Sequence, residues 1–226
     1  MSLAGWESRA VQATRAWTAE GCVIGFVGAV AVFHQLPIVA DVVGLHDPVD
    51  LITPFAVVGA ALATLFCFHA PPRALLLGFV GAVLYVDGHG IHLSANSIGN
   101  EPISGRARDV AHFWDERFGH LWWHLGWFML VAAICLAEPG QRVALSRRRT
   151  AAIVFFLGAT LFTNTLEGGD WWLELAGTIV FCTWAASARR PLLVAFAGAF
   201  AFGAALIGIW AIWQGGEPQF SQLGWL

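Results

Sequence analysis

The chain has 226 residues, of which 58% are hydrophobic and 12% are charged. A soluble domain carries about 25% charged residues, so this composition excludes an ordinary soluble domain and predicts an integral membrane protein. The formal net charge of -3, with no basic stripe in the sequence, argues against a nucleic-acid partner.

The chain order predicts three parts: a polar N-terminal tail (1–20), a single transmembrane domain (21–213) and a short C-terminal tail (214–226). The N-terminal tail is expected to be either a helix on the membrane surface or a frayed end. About 20 apolar residues cross the hydrocarbon layer, and the linkers are short, so we predict one all-α bundle. It has about seven transmembrane helices: 21–40, 51–70, 74–96, 110–137, 150–168, 171–188 and 191–213.

Arginine positions predict the orientation of this bundle. If the N-terminus is inside, nine of the twelve arginines lie on inner segments, as the positive-inside rule requires. Seven spans then place the C-terminus outside. The chain has no lysine and is rich in Ala, Arg and Gly, which is typical of a GC-rich bacterial genome and predicts a location in the bacterial inner membrane.

The cysteines stand singly in apolar segments and show no CxxC spacing. We therefore expect four separate buried thiols rather than a disulfide or a thiolate site. They are Cys22, Cys67, Cys135 and Cys182.

Histidines concentrate at the predicted outer side. On the third span, one helical stripe is formed by Tyr85, His89, His92 and Asn96, at positions i, i+4, i+7 and i+11. Asp87 points to the other side of this helix. Because ionisable groups in a membrane are costly, such a stripe is expected to find partners or water.

The fourth and fifth spans carry matching stripes. On the fourth, His112, Glu116, His120 and His124 recur every four residues, and Asp115 lies at the edge of their face. On the fifth, the stripe contains Thr160, Asn164 and Glu167. The 1.5 Å rise per residue places His89, His92, Glu116 and His120 at similar depths, about 6–16 Å below the outer surface, and Glu167 at the surface or one turn below it.

Three interpretations of this cluster remain open. It is a solvated or hydrogen-bonded structural network, a proton or ion path, or a metal site built from imidazole and carboxylate ligands. In the metal interpretation, His89, His92 and His120 are the first ligands, and His112 and His124 are the alternates. Imidazole with carboxylate favours zinc and admits iron, and five or six such ligands would indicate a di-iron centre.

Further roles follow from the metal interpretation. Glu116 or Asp115 would act as the general base, and either Glu116 or Glu167 could add a carboxylate ligand. Four polar side chains are expected to orient the ligands from behind: Asn96, Asn164, Asp87 and His34. Five tryptophans are expected to form an interfacial belt: Trp114, Trp122, Trp123, Trp171 and Trp172.

A seven-helix bundle with the paired histidines of "HLWWH" (120–124), a further histidine at His89 or His92 and nearby acids resembles one known group. This group is the alkaline ceramidase and adiponectin-receptor superfamily of intramembrane zinc hydrolases. In that family, however, the HxxxH pair stands on the last helix, whereas here it stands on the fourth. The resemblance implies three zinc-binding histidines and hydrolysis of a lipid amide.

We therefore expect a metal-dependent hydrolase of lipid amides or esters, with a lipid or another membrane-embedded small molecule as its partner. A non-haem iron oxidase or hydroxylase is the alternative enzyme. A metal-ion or proton transporter, or a receptor without turnover, is the alternative outside the enzymes. The inner halves of the spans are almost purely apolar, which argues against a polar path through the whole membrane.

Overall fold

The computed structural model describes residues 19–36, 46–99, 101–138, 143 and 145–225, and these are helical with no strand among them. The predicted N-terminal tail lies outside the described residues except for its last two. The described residues form seven long helices in chain order: α1 (Ala19–Leu36), α2 (His46–Cys67), α3 (Pro72–Gly99), α4 (Arg106–Ala137), α5 (Arg147–Glu167), α6 (Trp171–Ala188) and α7 (Pro191–Gln214). A short 3-10 turn, Ser221–Leu223, ends the described chain.

Six of these helices are long and apolar enough to cross a membrane: α1 to α5 and α7. The prediction of a multi-pass helical membrane protein is therefore confirmed at this level. Helix α6 is not among the six. Its 18 residues include Glu174 and three tryptophans, which lower the mean hydropathy.

The two ends of the bundle have different chemistry. At one end, which we call the arginine end, Arg149 forms an ion pair with Glu20 and so joins α5 to α1. At the same end, Arg190 donates a hydrogen bond to the Cys135 carbonyl, 2.9 Å away. The opposite end, called the site end, contains the buried histidines. Antiparallel neighbours bring the start of each odd-numbered helix and the end of each even-numbered helix to the arginine end.

The cysteine prediction is corrected at the arginine end. Cys22 and Cys67 are disulfide-bonded, with their Cα atoms 6.9 Å apart. Spacing along the sequence gave no sign of this pair, because the two residues are brought together by the antiparallel packing of α1 and α2. Cys135 and Cys182 are free thiols, as predicted.

Candidate metal centre

Glycines bring the backbones of α3 and α4 into contact at the site end. A Cβ atom added at Gly88 would lie 2.8 Å from the Gly119 carbonyl oxygen, and one at Gly126 would lie 2.7 Å from the Gly81 carbonyl oxygen. Small residues allow this close approach between membrane helices. The contact places the histidine stripe of α3 directly against the polar face of α4.

Helix α4 changes its winding where it meets this stripe. Residues Phe113–Gly119 form a π-helical segment between two α-helical parts, Arg106–His112 and His120–Ala137. The His120 N–H donates to the Asp115 carbonyl, five residues earlier, instead of four. Residues five apart therefore stack on one face, so Asp115 and His120 both point toward α3. Single π turns of this kind occur frequently at functional sites.

Three side chains meet at this point. His92 Nδ1 donates a hydrogen bond of 2.5 Å to Asp115 Oδ1, and the rings of His92 and His120 lie 4.4 Å apart between centroids. One ligand atom from each of His92, Asp115 and His120 lies within 4.8 Å of the other two. Asp115 and His120 are buried, and His92 is partly buried.

The Trp123 ring lies at the centre of the histidine cluster. Its centroid is 4.6 Å from that of His89, 5.4 Å from that of His92 and 5.7 Å from that of His120. Rings packed against an aromatic plane lose rotamer freedom, so Trp123 holds the histidines in fixed orientations. Trp123 is 6% exposed, and its predicted place in an interfacial belt is wrong. Trp114 and Trp172, by contrast, are 43% and 49% exposed.

Two further histidines near Trp123 are each paired with an aspartate. His89 Nε2 donates to the Asp50 carbonyl at 2.9 Å and lies 3.1 Å from the Asp50 carboxylate. His124 Nδ1 donates to the Asp170 carboxylate at 2.7 Å. An acceptor on one ring nitrogen fixes the tautomer and leaves the lone pair on the other nitrogen. Within the described residues, His89 Nδ1 and His124 Nε2 are buried without a hydrogen bond.

His34 closes the cluster from α1. Its Nδ1 donates to the Val30 carbonyl at 2.7 Å, and its Nε2 accepts a 2.9 Å hydrogen bond from the Tyr85 hydroxyl. The ring also stacks on Trp127, with 4.8 Å between centroids. Both ring nitrogens are thus engaged, so His34 supports the cluster rather than offering a ligand.

A cavity of about 940 Å³ opens beside the three-residue cluster. His92, Asp115 and His120 form part of its wall, and Glu116 and Glu167 lie in the same wall. The C-terminal segment lies across it: Gln219 Nε2 donates to Glu116 Oε2 at 2.7 Å and to the Glu167 carbonyl at 2.6 Å. The Glu167 carboxylate accepts the N–H of Phe220 at 2.7 Å.

The structure brings some of the predicted site residues together and separates others. His92, Asp115 and His120 form the cluster, whereas His89 and His124 lie around Trp123 with aspartate partners. The remaining predicted residues of the cavity wall are His34, Asn96, His112, Glu116, Asn164 and Glu167.

Asp87 does not join the predicted supporting shell. It is exposed on another face of α3, in a cleft shared with Ser94 and Trp114. The reason is helical geometry, since residues two and five positions apart on an α-helix point in different directions.

Sequence reasoning missed three residues of this site. Asp50 lies in the first turns of α2, and Asp170 directly precedes α6. An aspartate at the start of a helix is ordinarily explained as a cap. Asp170 precedes α6 without capping it, and both aspartates face a histidine, His89 for Asp50 and His124 for Asp170. Gln219 lies in a tail that carried no pattern in the sequence.

The donor set fits a divalent metal ion such as zinc or iron. The buried Nδ1 of His120 has no hydrogen-bond partner among the described residues, and two neighbouring side chains offer nitrogen and oxygen donors. Imidazole and carboxylate are the ligands that zinc and non-haem iron prefer.

No protein-family model, curated protein or solved structure matches this chain. The resemblance to the ceramidase and adiponectin-receptor superfamily therefore stays a prediction.

Proposed function

We propose that this protein is a membrane metalloenzyme that binds a divalent metal ion, with zinc favoured, and hydrolyses a lipid amide or ester. One observation supports this above the others. His92, Asp115 and His120 converge within 4.8 Å on the wall of a cavity of about 940 Å³. Three protein ligands leave a coordination position for water or substrate, as in catalytic zinc sites.

The surrounding residues would divide the work of such a reaction. A zinc ion held by His92, Asp115 and His120 would lower the pKa of a bound water to about 7. Glu116 lies in the same cavity wall, and its contact with Gln219 fixes one carboxylate oxygen, which suits it to accept a proton. Trp123 and the His–Asp pairs behind the cluster would hold the ligands in position.

We propose that α6 also crosses the membrane, which completes seven spans. Its 18 residues extend about 27 Å, close to the thickness of the hydrocarbon core. The residue that lowers its hydropathy, Glu174, is fully buried inside the bundle, whereas Ile179 and Val180 are 69% and 60% exposed. The surface that would face lipid is therefore apolar. The arginine distribution favours an N-terminus on the inside, and the composition without lysine favours a bacterial inner membrane.

A non-metal function has one specific observation in its favour. His92 and Asp115 already share a short hydrogen bond, which is also the arrangement of a proton-binding pair. A di-iron oxidase has less support, because three candidate ligands converge in the described part of the chain and a di-iron centre uses more.

The deciding experiment measures metal in the detergent-purified protein by mass spectrometry. We expect about one zinc ion per chain in the wild type and loss of that zinc in His92→Ala and His120→Ala. His112→Ala is the matched control, because His112 is an exposed histidine of the same helix that lines the cavity outside the cluster. Retention of zinc in both cluster variants would contradict the site.

Turnover is tested on the same preparations with an N-acyl amide lipid and a carboxylic ester lipid in mixed micelles. Hydrolysis by the wild type and by His112→Ala, but not by His120→Ala, is the expected result. Bound zinc without hydrolysis of either lipid would favour a receptor. A protein without metal, with all variants folded, would favour the proton-binding pair.

A further inference from the structure

A groove on the lipid-facing side shares lining residues with the site cavity. It has a volume of about 450 Å³ and lies on the outer surface between α1 and α5. Gln35 of α1 and Thr163 of α5 line both the groove and the cavity. Gln35 Nε2 donates to Thr163 Oγ1 at 3.1 Å, so a hydrogen bond between two side chains stands where the two spaces meet.

The two helices are tied differently at their two ends. At the arginine end, the ion pair between Arg149 and Glu20 joins α5 to α1. At the site end, the Gln35–Thr163 hydrogen bond links them, and it joins uncharged side chains that are part-buried. A single hydrogen bond between uncharged side chains adds little to stability, so breaking this contact does not require either helix to unfold.

The groove presents hydrocarbon surface along its length. Its remaining lining consists of Ala31, Val32, Leu36, Phe156, Ala159 and Thr160. The Thr160 hydroxyl donates to the Phe156 carbonyl at 2.7 Å, and the Thr163 hydroxyl donates to the Thr160 carbonyl at 3.1 Å. Both hydroxyls therefore already donate to carbonyls of α5.

The groove also runs in the direction that a lipid acyl chain takes in a bilayer, along the membrane normal. From Thr163 to Phe156 it follows α5 for about 10 Å, away from the site end and toward the middle of the span. In a bilayer, the ester or amide of a lipid lies near the interface and its acyl chain runs toward the midplane. The cavity and the groove are arranged in the same order along the membrane normal.

We propose that this groove seats one acyl chain of the lipid substrate, which enters sideways from the bilayer between α1 and α5. The ester or amide group then passes the Gln35–Thr163 contact to reach the cavity beside His92, Asp115 and His120. This inference rests on the proposed function for the chemistry, and it names the substrate class as a lipid whose acyl chain stays in the bilayer. Entry from water through the site end is the alternative route.

The test uses photo-crosslinking, which does not depend on turnover. The protein is reconstituted in phosphatidylcholine vesicles that contain a small share of phosphatidylcholine with a diazirine on one acyl chain. Adducts are mapped by peptide mass spectrometry. We expect labelling of Phe156 and Ala159 several-fold above that of Ile179, which is exposed on α6 away from the groove.

Two variants block the groove from opposite walls: Ala159→Trp on α5 and Val32→Trp on α1. Val32 is 50% exposed, so its replacement does not disturb the core. Both variants should lower the labelling of Phe156 to the level of Ile179. Ala201→Trp makes the same Ala-to-Trp change as the α5 variant at an exposed position of α7 and should leave the labelling unchanged.

Labelling of Phe156 no higher than that of Ile179 in the wild type would overturn the proposal, as would labelling that both blocking variants leave intact. Zinc measured in the same samples separates the two levels of inference. Groove labelling in a protein without metal would support acyl-chain binding in the groove and contradict the proposed metal-dependent hydrolysis. Bound zinc without groove labelling would be consistent with the proposed hydrolase and would contradict lipid entry between α1 and α5.

Discussion

The contact between α3 and α4 predicts that Gly88→Ala damages the protein far more than the same change two residues away. At Gly88, an added Cβ would lie 2.8 Å from the Gly119 carbonyl oxygen and closer still to the Trp123 amide nitrogen. These neighbours are backbone atoms, which cannot rotate away as a side chain can. At Gly90, a Cβ would meet nothing within 4 Å, so Gly90→Ala is the matched control.

The size of the effect follows from these distances. Ordinary contact for a Cβ begins at 3.4 Å, and the Trp123 amide nitrogen would lie only 2.3 Å away, so α3 and α4 must separate by about 1.1 Å at that point (3.4 minus 2.3). Overpacking of this kind typically costs about 1–3 kcal/mol. The 2.5 Å hydrogen bond between His92 and Asp115 bridges the same two helices and would lengthen with them. We expect zinc affinity to fall about tenfold or more, as when the support of a metal ligand is lost.

Two assays check this prediction on detergent-purified protein. Thermal unfolding followed by circular dichroism should show a lower Tm for Gly88→Ala, by roughly 2–4 °C per kcal/mol for a chain of this size. Competition with a chromophoric chelator measures the Kd for zinc. Gly90→Ala should match the wild type in both. Equal behaviour of the two alanine variants would refute the close contact, and with it the argument that glycines position the cluster.

The remaining predictions concern buried polar groups. Asp170→Leu leaves His124 Nδ1 buried without its acceptor, and the free energy of unfolding should fall by about 1–3 kcal/mol; an unchanged Tm would contradict the pair. Glu174→Gln should keep or raise the Tm, because the amide preserves the shape and no described donor contacts the carboxylate; a large loss would reveal a missing partner. Burial raises the pKa of Glu138, so stability should fall as pH rises above its ordinary value of 4.5, since the folded state keeps the proton longer. The free energy of unfolding, measured by chemical denaturation at a series of pH values, should therefore decline less with pH in Glu138→Gln than in the wild type. The same pH dependence in both proteins would contradict this role of Glu138.

The helices and their approximate limits could be predicted from the sequence. A long apolar segment in a membrane must satisfy its own backbone hydrogen bonds, and an α-helix does so. Helices α3 and α4 extend a few residues beyond the predicted spans, at Pro72–Gly99 and Arg106–Ala137, where polar residues continue a helix past the hydrocarbon layer. The Cys22–Cys67 disulfide was not predictable in this way. It depends on which helices are neighbours, and apolar helices carry little information about that.

The site was predictable as a region but not in its pairing. The α-helical period placed His89 and His92 on one face of α3, and both take part in the cluster around Trp123. On α4 the same period favoured Glu116 beside His120, but the π segment changes the phase. Asp115 occupies that place, and Glu116 contacts Gln219 instead. A π turn has no sequence signature comparable to an apolar repeat, so this change of partner could be seen only in the structure.

Three costly local features coincide at the same place in the bundle. The π segment Phe113–Gly119 interrupts the regular hydrogen bonding of α4, and the glycines Gly88 and Gly126 give up side-chain packing to let the backbones meet. Histidine side chains are buried with nitrogens that lack hydrogen bonds among the described residues. A helix bundle that only had to be stable would gain from replacing each of these with regular apolar packing. Places where a sequence departs from such rules in several independent ways are expected to be functional sites. The π segment and Gly88 lie where His92, Asp115 and His120 converge beside one cavity, so this region, rather than the apolar remainder of the bundle, is where the proposed function should be tested first.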